Sequence, residues 1–269
     1  MSVVSLFGGV DQAVFLAATQ LVGRSWLVDS LLSLSLDNPV VKAGPIAACF
    51  LFAWNRTGGT RLLEVRRRVL LVTLVSLFLV APAVKLLSEG RLAPRPFVLA
   101  LPGYGLSDGQ LARSAPLEVR VPQTGEMAAR AEALRQGTVA SNDFDAFPSD
   151  HAAFYFAMAL GIFLACRSAG LVALLWAAMI VFAVRIAVGM HWLSDIVVGA
   201  AIGGLVLGVL QLAAVRFRQR FDPWLLRLTE RYKGLTAAVL FLLLIETTGP
   251  LKTVERLRDL AGSIVGHET

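Results

Sequence analysis

Charge is scarce in this chain. Only 16% of its 269 residues are Asp, Glu, Lys or Arg, against about a quarter in ordinary soluble domains. Water is therefore a poor candidate for the main solvent of the fold. Cysteine is nearly missing as well. Cys49 and Cys166 both sit in apolar runs, which reads as packing and leaves little room for a disulfide framework or a metal pair. The opening "MSVVSLFGGVDQAVFLAATQLVG" has no basic leading segment and no small-residue cleavage site, so it is not read as a signal peptide. Histidine is limited to three positions, His151, His191 and His267.

Apolar residues are plentiful, at 56% of the chain. A bilayer core of about 30 Å takes roughly 20 helical residues to cross. Six stretches approach that length: 12–35, 39–55, 68–87, 150–167, 170–188 and 192–215. The first is interrupted by Arg24 and Asp29. A shorter run, "GLTAAVLFLLLIETTG" at 234–249, is either a seventh span or a helix lying at the interface. The expected fold is all-α: a polytopic membrane bundle of six helices. It forms one domain over 1–233, followed by a hydrophobic segment and tail over 234–269.

The net charge of +6 follows the connections. Arg56, Arg61, Arg66, Arg67 and Arg68 crowd between spans two and three. Arg167 separates spans four and five, and "RFRQRFDPW" follows span six. Loops rich in Arg stay on the cytoplasmic side, and these three alternate correctly with the others. The basic excess is a topology signal, so nucleic acid is not expected as a partner. The connections at 88–147 and 187–192 then face outward. The first is a polar insert of about 60 residues, with a helix-like segment "GEMAARAEALRQG"; connections so long are usually functional or disordered.

Three clusters fall on that outer face. "KLLSEGRLAPRPF" offers Lys85, Arg91 and Arg95, with prolines stiffening the exit. Basic residues at a helix end also snorkel to headgroups, which is the plainer reading of this cluster. "FPSDH" places Ser149 where a helix cap belongs, and free N–H groups in a first turn make an anion site. Ser149 and Asp150 read simply as caps would leave His151 without a role. "RIAVGMHWLSD" has Gly189 at a turn, then His191 and Asp195 four apart. There a carboxylate can hold one imidazole nitrogen and free the other for attack. An interfacial salt bridge between Arg185 and Asp195 is the alternative. His267 lies in the tail and is read as solvated. Two histidines, arginines and a helix N-terminus together suit a phosphate ester, whose transfer needs charge stabilisation on the equatorial oxygens.

"K…RP", "PSDH" and "R-x5-H-x3-D", in that order over 85–195, resemble the type 2 phosphatidic acid phosphatase superfamily. That family includes undecaprenyl-diphosphate and phosphatidylglycerophosphate phosphatases, glucose-6-phosphatase and vanadium haloperoxidases. The resemblance implies His191 as nucleophile through a phosphohistidine, with Asp195 orienting it and His151 as proton donor and then base. It implies that Lys85, Arg95, Arg185 and Ser149 hold the phosphoryl oxygens, with neither metal nor cofactor. Three positions depart from the family pattern. Ser88 stands where the first-motif lysine is expected, so either Lys85 or Arg91 must fill that role. Asp150 replaces a common glycine and brings a carboxylate to the phosphate-binding set. Val184 replaces a serine.

The function expected is hydrolysis of lipid phosphates or diphosphates at the outer face of a plasma (inner) membrane. Undecaprenyl diphosphate is the preferred substrate; phosphatidylglycerophosphate, phosphatidate and lipid A phosphates are alternatives. A non-catalytic lipid-phosphate binding or transport protein is the reading from another class. A haloperoxidase-like oxidation is a further alternative that the membrane spans disfavour.

Overall fold

The apolar run at 12–35 does not form one helix. In the computed structural model, which describes residues 8–88, 93–100, 105–107, 110–112, 120, 122–138 and 140–246, it divides into α1 (Gly9–Thr19) and α2 (Trp26–Asp37). Ser25 starts the second piece by accepting from Val28 N at 3.3 Å. Asp29, expected to be an interruption within a span, is wholly buried and accepts from Gly23 N and Gln123 N, both at 2.9 Å. Satisfying that carboxylate needs non-helical backbone at residue 23, which is why the run breaks. Helices of 11 and 12 residues are each too short to span about 30 Å.

The chain continues with α3 (Pro39–Asn55), α4 (Thr60–Ser88), α5 (Gly125–Arg135), α6 (Asp150–Ala165), α7 (Arg167–Ala187), α8 (Leu193–Arg216), α9 (Arg218–Arg231) and α10 (Lys233–Glu246). Asn38 begins α3 by accepting from Val40 N and Val41 N at 2.9 and 3.1 Å, with proline in the first turn. Among the described residues, α4, α7 and α8 are long and apolar enough to cross a membrane. α6 is equally apolar but has 16 residues, about 24 Å. By length and composition, three of the expected spans are met among the described residues. Large apolar side chains such as Val75, Phe78, Leu171, Leu175, Leu205 and Leu212 point out of the bundle, as a lipid environment requires.

α6 is the central helix, packed against α4, α7 and α8. Its Ala152, Ala153, Ala157 and Ala159 are buried, so neighbouring backbones come close. On α8, a Cβ at Gly199 would lie 2.2 Å from the Ser149 carbonyl, and one at Gly203 would lie 2.0 Å from that of Ala153. Only glycine allows this approach, and the approach fixes where α6 begins. Leu240 and Leu244 of α10 join the same core as α4 and α6, so the helix beginning the expected C-terminal segment is part of this packing. At 14 residues, α10 covers about 21 Å.

The arginines at the start of α4 are more than a solvated charge run. Arg66, Arg67 and Arg68 are all buried. Arg68 pairs with Asp222 of α9, while Arg67 bonds Thr229 Oγ1 at 2.7 Å, pairs with Glu230 and lies over the Trp54 ring at 5.2 Å. Both cysteines are free, and Cys166 Sγ accepts from Arg56 Nη1 at 3.1 Å.

The insert folds back on the N-terminal helices. α5 matches the helix-like segment expected there, and the chain entering it is tied to α2 where Ser33 Oγ donates to Thr124 O at 2.8 Å. A short antiparallel ribbon pairs β1 (Gly105–Ser107) with β2 (Gln110–Ala112). The two ends of the insert run side by side: Ala93 N donates to Phe144 O at 2.8 Å, Arg95 N to Asp143 O at 2.9 Å and Ala146 N to Ala93 O at 3.0 Å. This pairing sets the first cluster beside the second.

Candidate active site

The third cluster is joined to the other two through backbone. Gly189 takes φ +77 in the turn expected after α7, and its carbonyl accepts from Phe97 N at 3.0 Å. Trp192 Nε1 donates to Pro94 O at 3.4 Å, and Ser149 N donates to Asp195 O at 3.1 Å. Residues far apart in the chain thus meet where α6 and α8 begin.

His191 is 3% exposed and lies in the turn two residues before α8. Its Nδ1 sits 2.9 Å from the Ala146 carbonyl, an atom that can only accept, so this nitrogen carries the proton. Nε2 is left with its lone pair. Asp195 Oδ2 lies 3.7 Å from the same Nδ1, beyond hydrogen-bond range, and accepts from Trp192 N at 2.7 Å. The expected Asp195–His191 pair is therefore an electrostatic neighbour relation, and the direct hydrogen bond comes from a main-chain oxygen.

His151 is the second residue of α6, with its side chain 20% exposed. Asp150 Oδ1 accepts from its Nδ1 at 2.7 Å and from its backbone N at 2.6 Å. Expected among the phosphate-binding groups, the Asp150 carboxylate instead holds the imidazole. Ser149 is buried and caps the helix as expected, accepting from Ala152 N at 3.3 Å. Its hydroxyl hydrogen remains to donate.

Arg185 is 2% exposed, and its Nη1 donates to Val181 O at 3.0 Å. Among the described residues it forms no ion pair with Asp195. The Nε atoms of Arg185 and Arg95 are buried without a hydrogen-bond partner among the described residues. Burial pushes the Arg95 guanidinium below the ordinary arginine range, and the nearby carboxylates of Asp150, Asp143, Asp145 and Asp195 act in the opposite direction. Arg185 in turn feels the charges of Asp150 and Arg95. Arg185 lies close enough to Arg95 and His151 for their charges to act on one another, and two guanidinium groups beside a histidine suit a multiply charged oxyanion.

Lys85 is not brought into this group. Its side chain is exposed near the end of α4, and no hydrogen bond or ion pair joins it to the site among the described residues. Arg91 and His267 lie outside the described residues. Two charged residues absent from the sequence expectations do reach the site. Lys42 of α3 is half-buried and its charge acts on His151, while Asp11 of α1 binds Ser194. Neither belongs to a local motif, so nothing in the sequence marked them.

A family model described as "PAP2 superfamily" matches residues 66–219. The chain belongs to the PAP2 superfamily. Membership implies phosphatase activity on phosphate esters, and the matched stretch contains all three clusters; α1 and α3 lie outside it. Comparison with curated proteins and with solved structures gave no significant match.

Proposed function

We propose that this PAP2 protein hydrolyses a lipid phosphate or diphosphate through a phosphohistidine on His191. The observation that carries this reading is the His191 ring. Its Nδ1 is committed to Ala146 O at 2.9 Å, so the free Nε2 is the nucleophilic nitrogen. Nε2 attacks the terminal phosphorus and its bond to the leaving oxygen breaks, while His151 gives that oxygen a proton. The leaving oxygen is the lipid's own in a monophosphate and the bridging oxygen of the departing lipid monophosphate in a diphosphate. Water then attacks the phosphohistidine, His151 takes a proton from it, and the N–P bond breaks to release phosphate. Arg95, Arg185 and the Ser149 hydroxyl stabilise the equatorial oxygens, and Asp195 favours positive charge on His191. No step requires a metal ion.

The substrate is a membrane lipid. The site lies at the end of helices whose outer faces are apolar, so a tail can stay in the bilayer while the headgroup reaches His191. Basic connections near Arg56, Arg167 and Arg216 orient the opposite end to the cytoplasm, leaving the site on the periplasmic face of the inner membrane. Undecaprenyl diphosphate is the preferred substrate, because its recycling needs an outward-facing phosphatase.

Phosphate release by purified protein in detergent with EDTA tests this reading. The panel is undecaprenyl diphosphate, undecaprenyl phosphate, phosphatidylglycerophosphate and phosphatidate. Release from a member of the panel, abolished in His191→Ala, is expected. Folded protein that releases nothing from any of them would favour the binding-protein alternative, and release only with added metal would overturn the mechanism.

A further inference from the structure

The family match begins at residue 66, yet an element from outside it reaches the turn that carries His191. Asp11 of α1 is wholly buried. Its Oδ1 accepts from Ser194 N at 2.8 Å and its Oδ2 from Ser194 Oγ at 2.6 Å. Ser194 is the second residue of α8, so its N–H is one of the first-turn donors with no partner inside the helix. Four residues on in α1, the buried Phe15 meets Trp192 edge to face, with ring centroids 5.6 Å apart. The ring also lies against Gly189, where a Cβ would be 3.3 Å from Phe15 Cε2. α1 thus contacts the turn at residues 189, 192 and 194, on both sides of His191.

We propose that α1 is a working part of the active site and that Asp11 is a positioning residue for the nucleophile turn. This inference rests on the reading of His191 as nucleophile. His191 precedes α8 and has no helical hydrogen bonds of its own to hold it. The ring is anchored at Nδ1, and the backbone around it is tied to the first and second clusters through Gly189 O and Asp195 O. Those ties all come from 93–97 and 146–149. Asp11 supplies a tie from a different element.

A carboxylate suits the place, because the helix N-terminus favours negative charge and charge-assisted hydrogen bonds are the strong ones. Asp195 already caps the same helix through Trp192 N. A second buried carboxylate is more than capping alone needs. Its effect is to fix the turn, and a misplacement of about 1 Å at a reacting atom costs about a hundredfold in rate.

The test compares Asp11→Ala, Asp11→Asn and Ser194→Ala with wild type and His191→Ala, on the lipid released fastest in the panel. Rates are normalised to folded, monodisperse protein, and melting in detergent is recorded alongside. Asp11→Ala is expected to lower kcat by about 10–100-fold with KM within about threefold of wild type. Asp11→Asn keeps an acceptor for Ser194 N and is expected to recover most of that loss. Asp11→Ala that melts earlier but turns over at wild-type kcat would reduce α1 to a brace and overturn the inference. Should Asp11→Ala not fold, Ser194→Ala decides: a several-fold loss of kcat supports the role, and a wild-type value overturns it. Activity surviving in His191→Ala would instead sink the phosphohistidine reading itself, so the two failures are distinguishable.

Discussion

His191 Nδ1 lies 2.9 Å from the carbonyl oxygen of Ala146 and 3.7 Å from the Asp195 carboxylate. The main chain, not the acid, fixes which ring nitrogen carries hydrogen. This divides the labour between the two partners. Ala146 selects the tautomer and orients the ring, and Asp195 offsets the positive charge that develops as Nε2 forms its bond to phosphorus. A carbonyl anchored by the Ala146–Ala93 pairing is a rigid acceptor.

Unequal losses should follow in the mutants. His191→Ala removes the nucleophile and is expected to cost about 10⁴-fold or more in kcat. Asp195→Asn keeps an acceptor for Trp192 N and leaves the Ala146 bond untouched, so about 10–100-fold is expected. Phosphate-release kinetics on both variants check the order. An Asp195→Asn variant as inactive as His191→Ala would mean that the acid, and not the carbonyl, holds the tautomer.

The first cluster makes a different prediction. Lys85 is exposed and the Arg95 Nε is buried without a partner among the described residues. Lys85→Ala is therefore expected to change kcat/KM by less than about threefold. Arg95→Ala should lose about 10²–10³-fold, the scale for removing one oxyanion donor. The same assay on both variants compares them directly. A larger loss from Lys85→Ala would return that residue to the phosphate site.

What could be read in the sequence was local. The Ser149 cap, the Gly189 turn, the α5 helix and the convergence of His151, Arg185 and His191 all rest on short-range patterns or on motif order. The missed features are long-range or lie in the backbone. Ala146 O carries no side-chain signature and meets His191 across 45 positions of sequence. Asp29 looked like a flaw in a span because its partner, Gln123 N, is 94 residues away. Asp150 and His151 are adjacent, and neighbours in a helix do not normally face each other. They pair because the acid stands at the first helical position, where its carboxylate turns back over the following N–H.

Gly199 and Gly203 lie one turn apart on α8 but should respond differently to alanine. Either Cβ would collide with a backbone carbonyl of α6, which cannot step aside as a side chain can. Overpacking of this kind costs about 1–3 kcal/mol, so both variants should melt earlier in detergent. Only Gly199 faces the carbonyl of Ser149, the cap of the helix bearing His151. Gly199→Ala is expected to lower kcat well beyond its loss of stability, and Gly203→Ala to keep most of its turnover. Equal turnover in the two variants would argue that the start of α6 tolerates displacement.

Arg68 and Asp222 form a buried pair between α4 and α9, at the end of the bundle away from the histidines, with side chains 6% and 8% exposed. Removing one member strands the other charge in a low-dielectric site, which typically costs 3–5 kcal/mol, or about that range here. Replacing both with apolar residues of similar size removes the desolvation penalty together with the attraction. Arg68→Met and Asp222→Leu should each lower the melting temperature sharply, while the double variant recovers most of the loss. Turnover of the folded fraction should stay near wild type in all three, since none of these groups approaches His191. A double variant as unstable as the sum of the singles would show that α9 is held by contacts specific to each side chain rather than by the pair.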